Sequence, residues 1–293
     1  MTALAESRIS RTGDEQRRHR RHLMVRHTKN WIRMGLGIIF LIGMLFPVYW
    51  MLNISLQGSG TTLTSSVFPL HPDFAGYRTA IADQGGHLLT SLIIAIGTVV
   101  VTLVIAAPCA YALAQFRFRW ISWALLAILI SQMIPGIVIA NALYALYQRL
   151  DLLDSIPGLI IANAANAIPF GILIMRSFML GVPPSIVEAA RVDGAGRLRA
   201  FLSIVVPISR NSLITVGLFS FLFAWSDFVF ALTLTTKGTI VPVTLGIYTY
   251  LGAHVANWSP VMATAVLASI PAIILLIIAQ RYIAAGAVGG AVK

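Results

Sequence analysis

Residues 88–111 read LLTSLIIAIGTVVVTLVIAAPCAY, a stretch without a single charged side chain. An α-helix rises about 1.5 Å per residue, so roughly 20 apolar residues cross the ~30 Å hydrocarbon layer of a bilayer. In lipid, the backbone polar groups of such a run can be satisfied only within a helix or a closed barrel. The stretch therefore predicts a membrane-spanning α-helix.

Five further runs of the same character accompany this one. The hydrophobic residues make up 58% of the 293-residue chain and the charged residues only 11%, against roughly 25% charged in soluble domains. We therefore predict an all-α membrane protein with six transmembrane helices, which cover residues 32–54, 88–111, 121–147, 156–179, 206–233 and 260–282. The connections 55–87, 148–155 and 235–259 are predicted to be loops on one side of the membrane.

The positive charge is distributed unevenly across this arrangement. Only Arg78, Arg149 and Lys237, of the 21 Lys and Arg residues, fall on the side of those three loops. Cations concentrate on the cytoplasmic side of membrane proteins, so both termini are predicted to be cytoplasmic, with a basic N-terminal tail at 1–31 and a C-terminal tail at 284–293. The cluster 17–22 (RRHRRH) is interpreted as an anchor to anionic lipid head groups rather than as a nucleic-acid site.

Nothing in the sequence indicates catalysis or a bound metal. All six histidines lie outside the predicted spans, and Cys109 is the single cysteine. The chain carries no H-E-x-x-H, G-x-S-x-G or G-x-x-x-x-G-K-[ST] motif. We therefore predict no catalytic residue, no metal ligand and no cofactor bound by this chain.

The connection between the fourth and fifth spans is unusually elaborate: residues 181–207 read GVPPSIVEAARVDGAGRLRAFLSIVVP. Ser185 and Glu188 match a capping box, which predicts a short helix over 185–193. Ala189 and Ala190 leave one face of that helix flat, and Gly194 permits a turn with positive φ. A simple connection needs only about two to eight residues.

The spacing in this loop resembles the signature of permease subunits of bacterial ABC importers. Glu188-Ala189-Ala190, three residues, Gly194, nine residues, Ile204, two residues and Pro207 follow one another without a gap. Asp193-Gly194 is similar to the carbohydrate, maltose-transporter-type branch, although Val206 stands for a leucine and Asn211 for a second proline. The segments 110–114, 225–228 and 290–293 also look like that branch, so the resemblance covers residues 33–293.

The resemblance implies a six-span permease domain at 32–283 with a coupling loop at 181–205, in the bacterial inner membrane. It implies four kinds of protein partner or surface: a homologous second permease, two cytoplasmic ATPase subunits that use ATP and Mg, an extracytoplasmic solute-binding lipoprotein, and the lipid bilayer. The residues expected to couple to the ATPase are Ser185, Glu188, Ala189, Ala190, Asp193, Gly194 and Pro207.

Polar side chains within the spans are candidates for the translocation pathway, because they are costly in lipid. Gln132, Asn163, Asn166 and Ser220 fall near mid-depth. Trp225 and Asp227 together would offer an aromatic face and a carboxylate to a sugar. The alternatives are interhelical hydrogen bonding for the first four residues and a head-group position for Asp227.

Two other functions remain open from the sequence: a secondary transporter that works alone, and an ABC permease for a non-sugar solute such as a glycerol phosphate. A self-contained transporter would not require the short helix in the loop, which favours the importer.

The charge distribution predicts the outcome of thiol labelling in intact cells. Cysteines introduced at Arg197 and near Lys293, in a chain whose native Cys109 is replaced, should resist a membrane-impermeant thiol reagent. Cysteines at Thr62 and Thr249 should react with it. Labelling at Arg197 from outside would contradict the predicted topology.

Overall fold

The computed structural model describes residues 33–58, 66–116, 119–253 and 257–289, and these contain helices and no β-strand. The predicted N-terminal tail 1–31 and the last four residues of the predicted C-terminal tail lie outside them. The chain divides into two units, residues 1–53 and 54–293. In order, the helices are α1 (Arg33–Ser55), α2 (Ala75–Gln115), α3 (Ile121–Ser131), α4 (Gly136–Leu150), α5 (Ile156–Met179), α6 (Pro184–Val192), α7 (Arg197–Ala200), a π-helix (Phe201–Val205), α8 (Val206–Ile208), α9 (Arg210–Trp225), α10 (Val229–Leu234), α11 (Val243–Ala253) and α12 (Ser259–Gly289).

Four helices are each long and apolar enough to cross a membrane: α1, α2, α5 and α12. Two further spans are bent pairs: α3 with α4, at 93°, and the segment Arg197–Ile208 with α9, at 79°. Counting each pair as one span gives six, as predicted. Two of the six spans are thus each divided by a sharp bend.

The first break follows from proline chemistry. Pro135 cannot donate a backbone hydrogen bond and disfavours helical geometry at the residue before it. The chain accordingly leaves α3 at Ser131 and begins α4 only after Pro135. The predicted span 121–147 is therefore two helices.

Two predicted loops contain helix instead. Helix α2 begins at Ala75 rather than near residue 88 and runs for 41 residues, and α11 occupies the middle of the predicted loop 235–259. These two segments pack on each other: a Cβ added at Gly246 of α11 would lie 2.5 Å from Oε1 of Gln84. The added helical turns are thus stabilised by a contact between segments far apart in sequence.

Helix α2 lies at the centre of the unit formed by residues 54–293. It packs against α5, α9, α11 and α12, and its buried face consists mostly of small residues. At Gly171 of α5 an added Cβ would lie 2.9 Å from Val216 of α9 and 3.2 Å from Ala106 of α2. Small residues at such crossings let membrane helices approach closely, because packing rather than hydrophobic burial drives their association.

A charged side chain joins two connections on the side that the charge distribution predicts to be outer. The Asp154 carboxylate accepts hydrogen bonds from the backbone N–H and hydroxyl of Thr236 (2.6 and 2.8 Å) and from the backbone N–H of Lys237 (2.7 Å). Burial raises the pKa of this carboxyl, but these hydrogen bonds and the Lys237 charge outweigh it and hold the pKa below its ordinary value.

We expect Asp154→Asn to lower the stability of the folded protein by about 1 kcal/mol at neutral pH, since one ionic acceptor is lost. Because the folded pKa lies below the ordinary value of 3.8, the stabilisation is complete above about pH 5 and disappears as the pH falls through the folded pKa. Thermal unfolding in detergent at several pH values measures this. Asp151→Asn is the matched control, because Asp151 has the same left-handed backbone (φ 54° against 52°). An equal loss of stability in both variants would contradict the stabilising role of the Asp154 hydrogen bonds.

Candidate functional site

The coupling loop predicted from the sequence contains a nine-residue helix, α6, which begins one residue earlier than predicted. Pro183 is its N-cap and Pro184 its first residue, and no side chain caps it. The predicted capping box between Ser185 and Glu188 was therefore wrong. The fixed φ of proline suits the first helical position, where the missing N–H is not needed, and this places Ser185 beyond the capping position.

The other end of α6 is fixed by a glycine. Gly194 has φ +88°, and nothing lies within 4 Å of a Cβ added there. The N–H of Ala195 donates to the carbonyl of Ala190 (2.9 Å) and the N–H of Gly194 to that of Arg191 (3.1 Å). This pair of bonds is a Schellman motif. The positive φ predicted for Gly194 is confirmed, and it sets the direction in which the chain leaves α6.

One buried residue of α6 packs against the rest of the protein. Val187 is 9% exposed and belongs to a core cluster with Ala110 of α2, Met175 and Met179 of α5 and Ala200 of α7. A cavity of about 120 Å³ lies between α6 and the end of α2. The helix is therefore held from one side by packing.

The remaining surface of this segment is exposed, including several apolar side chains: Ile186 is 42%, Leu198 69% and Val192 88% exposed. Ser185, Glu188, Ala189, Asp193, Gly194 and Pro207 are also exposed, and Ala190 is half-buried. Arg191, Arg197 and Arg199 lie among these apolar groups in the sequence. Apolar and charged groups thus share one accessible segment.

Between α6 and α9 the chain turns at Gly194 and again at Ser209. After α7 it forms a five-residue π-helix, Phe201–Val205, and then the short α8, which contains Pro207. Ser209 separates α8 from α9, and the axis turns by 79° there. The predicted span 206–233 is therefore divided among three helices. It contains α8 and α9, and after α9 ends at Trp225 a further helix, α10, begins at Val229.

Two of the predicted pathway residues come together at the break between α9 and α10. The Asp227 carboxylate accepts the backbone N–H groups of Phe230 and Ala231, each at 3.1 Å. The side chain of Asn163 on α5 lies beside this carboxylate and donates to the backbone oxygen of Leu159 (3.0 Å). Asp227 therefore caps α10, and Asn163, only 5% exposed, connects that cap to α5.

A second pair lies at the break between α3 and α4. Gln132 Nε2 is 3.5 Å from the backbone oxygen of Asn166, and both residues are exposed. Their polar groups are thus accessible on the surface of this chain, next to the 93° bend.

The two remaining pathway residues are buried. Trp225 is 7% exposed, donates from Nε1 to the backbone oxygen of Ala268 (2.9 Å), and stacks on Phe221. Ser220 is 1% exposed and its hydroxyl has no hydrogen-bond partner among the described residues. Trp225 and Asp227 have different neighbours and do not form one combined surface for a sugar. Contact of any of the six residues with a solute stays a prediction.

Sequence reasoning missed the role of Gln115, the last residue of α2. Its side-chain amide nitrogen lies 3.1 Å from the backbone oxygens of both Met179 and Val182, more than 60 residues away in sequence. A polar side chain four residues beyond the predicted span 88–111 was the only sequence signal. Within the described residues, no group of His, Cys, Asp and Glu is placed to hold a metal ion.

Comparison with known proteins gives the class to which this architecture belongs. Residues 103–288 match the family described as binding-protein-dependent transport system inner membrane component. The diacetylchitobiose uptake system permease protein DasC of Streptomyces coelicolor is 30% identical over 88% of this chain and 95% of its own. The trehalose transport system permease protein SugB of Mycobacterium tuberculosis is 32% identical over 85% and 92%.

A solved structure agrees with the sequence relatives. A bacterial ABC transporter involved in the import of the acidic polysaccharide alginate superposes with a TM-score of 0.74 at 25% identity, over 86% of this chain and 95% of that chain.

The chain belongs to the family of binding-protein-dependent transport system inner membrane components. It is a transmembrane permease subunit of an ABC importer, as the loop signature indicated. Membership in this family implies a second permease, an ATPase and a solute-binding protein as partners.

The position of Asp227 leads to a test that separates capping from solute contact. Asp227→Ala leaves two backbone N–H groups without their acceptor and should cost about 0.5–2 kcal/mol, by analogy with the loss of an N-cap. Asp227→Asn keeps one acceptor and should assemble normally while altering uptake. Ser226→Ala, at the exposed neighbouring residue, is the control. Normal uptake of every tested sugar by Asp227→Asn would assign the residue to the cap alone.

Proposed function

We propose that this permease forms half of a translocation pathway for a sugar or sugar-like solute, and that α6 is the element through which ATPase subunits drive it. The observation that carries the coupling role is α6 itself. It is a short helix with proline at its start and a Schellman motif at its end, and Val187 is its one buried side chain.

The exposed surface of α6 and α7 favours contact with a protein partner over permanent exposure to solvent. Val192 and Leu198 are large apolar residues with most of their surface accessible, in a segment that the charge distribution predicts to be cytoplasmic. Removing apolar surface from water contributes roughly 25 cal/mol per Å². The neighbouring Arg and acidic side chains add charge complementarity, which favours specificity.

The solute class comes from the relatives. The names of two of them specify diacetylchitobiose and trehalose uptake. The solved structure is that of a transporter involved in the import of a polysaccharide. The exposed pair Gln132 and Asn166 offers hydrogen-bonding groups of the kind that bind sugar hydroxyls. We place them in the pathway, facing the homologous second permease.

Energy for transport comes, in this proposal, from ATP and Mg used by two cytoplasmic ATPase subunits, and the solute from an extracytoplasmic binding lipoprotein. Closure of the ATPase pair would displace α6, and the bent connection through the π-helix would carry that displacement to α9. Both termini are then cytoplasmic.

Three substitutions test the coupling role. Ala189→Trp adds bulk to an exposed position of α6 and should displace the ATPase. Glu188→Ala removes an exposed carboxylate and should weaken its binding. Gly194→Val forces a β-branched residue into φ +88°, at a cost of about 1–2 kcal/mol or more, and should change the direction in which the chain leaves α6. Each should abolish or strongly reduce uptake while the six spans still insert.

Matched controls separate the surface from general damage. Gly196→Val lies in the same loop and is equally open, but Gly196 has φ −65°, so it should be tolerated. Ala145→Trp adds the same bulk at an exposed position of α4. The measurements are uptake in proteoliposomes and the amount of ATPase that copurifies. Wild-type uptake with full ATPase retention in all three test variants would refute the coupling role.

A further inference from the structure

The strongest unexplained feature of the described residues is the pair of hydrogen bonds made by Gln115. Its Nε2 lies 3.1 Å from the carbonyl oxygen of Met179, the last residue of α5, and 3.1 Å from that of Val182. An amide nitrogen carries two hydrogens, so one side chain satisfies both carbonyls. The side chain thus connects the end of α2 to the segment directly before α6.

Within that segment the backbone N–H groups of Gly181 and Val182 donate to the carbonyls of Phe178 and Met179. The two residues after Val182 are Pro183 and Pro184, which have no N–H to donate. The last carbonyls of a helix such as α5 also lack partners within the helix. The Met179 carbonyl thus has a backbone donor as well as Gln115, whereas Gln115 is the donor found for the carbonyl of Val182.

Two further contacts join the same end of α2 to its surroundings. The Arg176 guanidinium on α5 donates from Nε to the carbonyl of Leu113 (3.1 Å). The buried Val187 of α6 packs in the cluster that includes Ala110 and Tyr111 of α2. The ends of α2 and α5 and the start of α6 are thus connected by both packing and hydrogen bonds.

The opposite part of α2 is hydrogen-bonded to α11. Ser91 Oγ accepts the backbone N–H of Val243 (2.8 Å), and Asp83 Oδ2 accepts the hydroxyl of Tyr250 (2.9 Å). Residues 83 to 115 span about 48 Å of helix, enough to cross the membrane. Pro108 lies within α2 without ending it. One continuous helix therefore joins the coupling segment to α11.

We propose that Gln115 is a positioning residue that makes α2 follow the movement of α6, so that ATP-driven motion reaches α11 on the opposite side of the membrane. This inference rests on the proposed coupling role of α6. It assigns to α2 a path of transmission separate from the connection through α7, the π-helix and α9.

The test uses the complete transport complex, purified through a tag on this chain and reconstituted in liposomes. Gln115→Met keeps the length of the side chain and removes both donors. Gln115→Lys keeps donors that can reach the same carbonyls. Gln148→Met makes the same chemical change at an exposed position of α4 and serves as control.

The readout is the rate at which a membrane-impermeant maleimide labels a cysteine placed at Gly252, in a chain whose Cys109 is replaced by Ala. Gly252 is exposed, with nothing within 4 Å of an added Cβ. We expect ATP with Mg to change this rate severalfold in the parent chain, in Gln115→Lys and in Gln148→Met. In Gln115→Met the change should be lost, together with uptake, while the ATPase stays bound.

Three results would overturn the inference: an undiminished ATP-dependent change in Gln115→Met, the same loss in Gln115→Lys as in Gln115→Met, or release of the ATPase by Gln115→Met. The last would mean that Gln115 only supports the docking surface. Failure of the proposed function itself is seen separately, as full ATPase retention and wild-type uptake in all three of Ala189→Trp, Glu188→Ala and Gly194→Val.

Discussion

The bilayer offers no hydrogen bonds to a polypeptide backbone, and the structure of this permease follows largely from that constraint. Every N–H and carbonyl at membrane depth must find a partner in the protein. Continuous helices such as α2 and α5 meet most of the requirement internally, although Pro108 and Pro169 each remove one donor. Where a helix breaks, the freed groups need side chains, and at the break between α9 and α10 the Asp227 carboxylate accepts two backbone N–H groups. The presence of a charged residue in this apolar run is therefore explained by a structural role that does not depend on the solute.

The same constraint explains much of what could be predicted from the sequence. Charge-free runs of sufficient length predicted six spans because lipid permits few alternatives. The Ser185 and Glu188 pattern predicted the loop helix, and Gly194 was correctly given a positive φ because only glycine adopts it at little cost. The capping box was predicted wrongly, since a Ser-x-x-Glu pattern does not reveal that Pro184 already occupies the first helical position.

The remaining features depend on contacts that sequence spacing does not contain. The extension of α2 to Ala75 is stabilised by α11, whose Tyr250 lies 167 residues from its partner Asp83. Asn163 and Asp227 are neighbours only because α5 packs near the break after α9. Trp225 was matched with Asp227 because they are close in sequence, yet its indole faces the backbone of Ala268 on α12. Local pattern placed these residues in the membrane, and helix packing decided what each one contacts.

The two ends of α6 are fixed by different means, and this has a mechanical consequence. Directly before its start, the backbone carbonyl of Val182 is hydrogen-bonded to α2 through Gln115. At its end, the Schellman motif at Gly194 sets the direction of the chain that leads to α9. A helix of nine residues held at both ends cannot turn about its own axis without changing one of these attachments. Displacement of α6 as a whole preserves both, because α2 and α9 also pack against each other. The geometry therefore favours joint movement of α6, α2 and α9 over a local rearrangement of the loop.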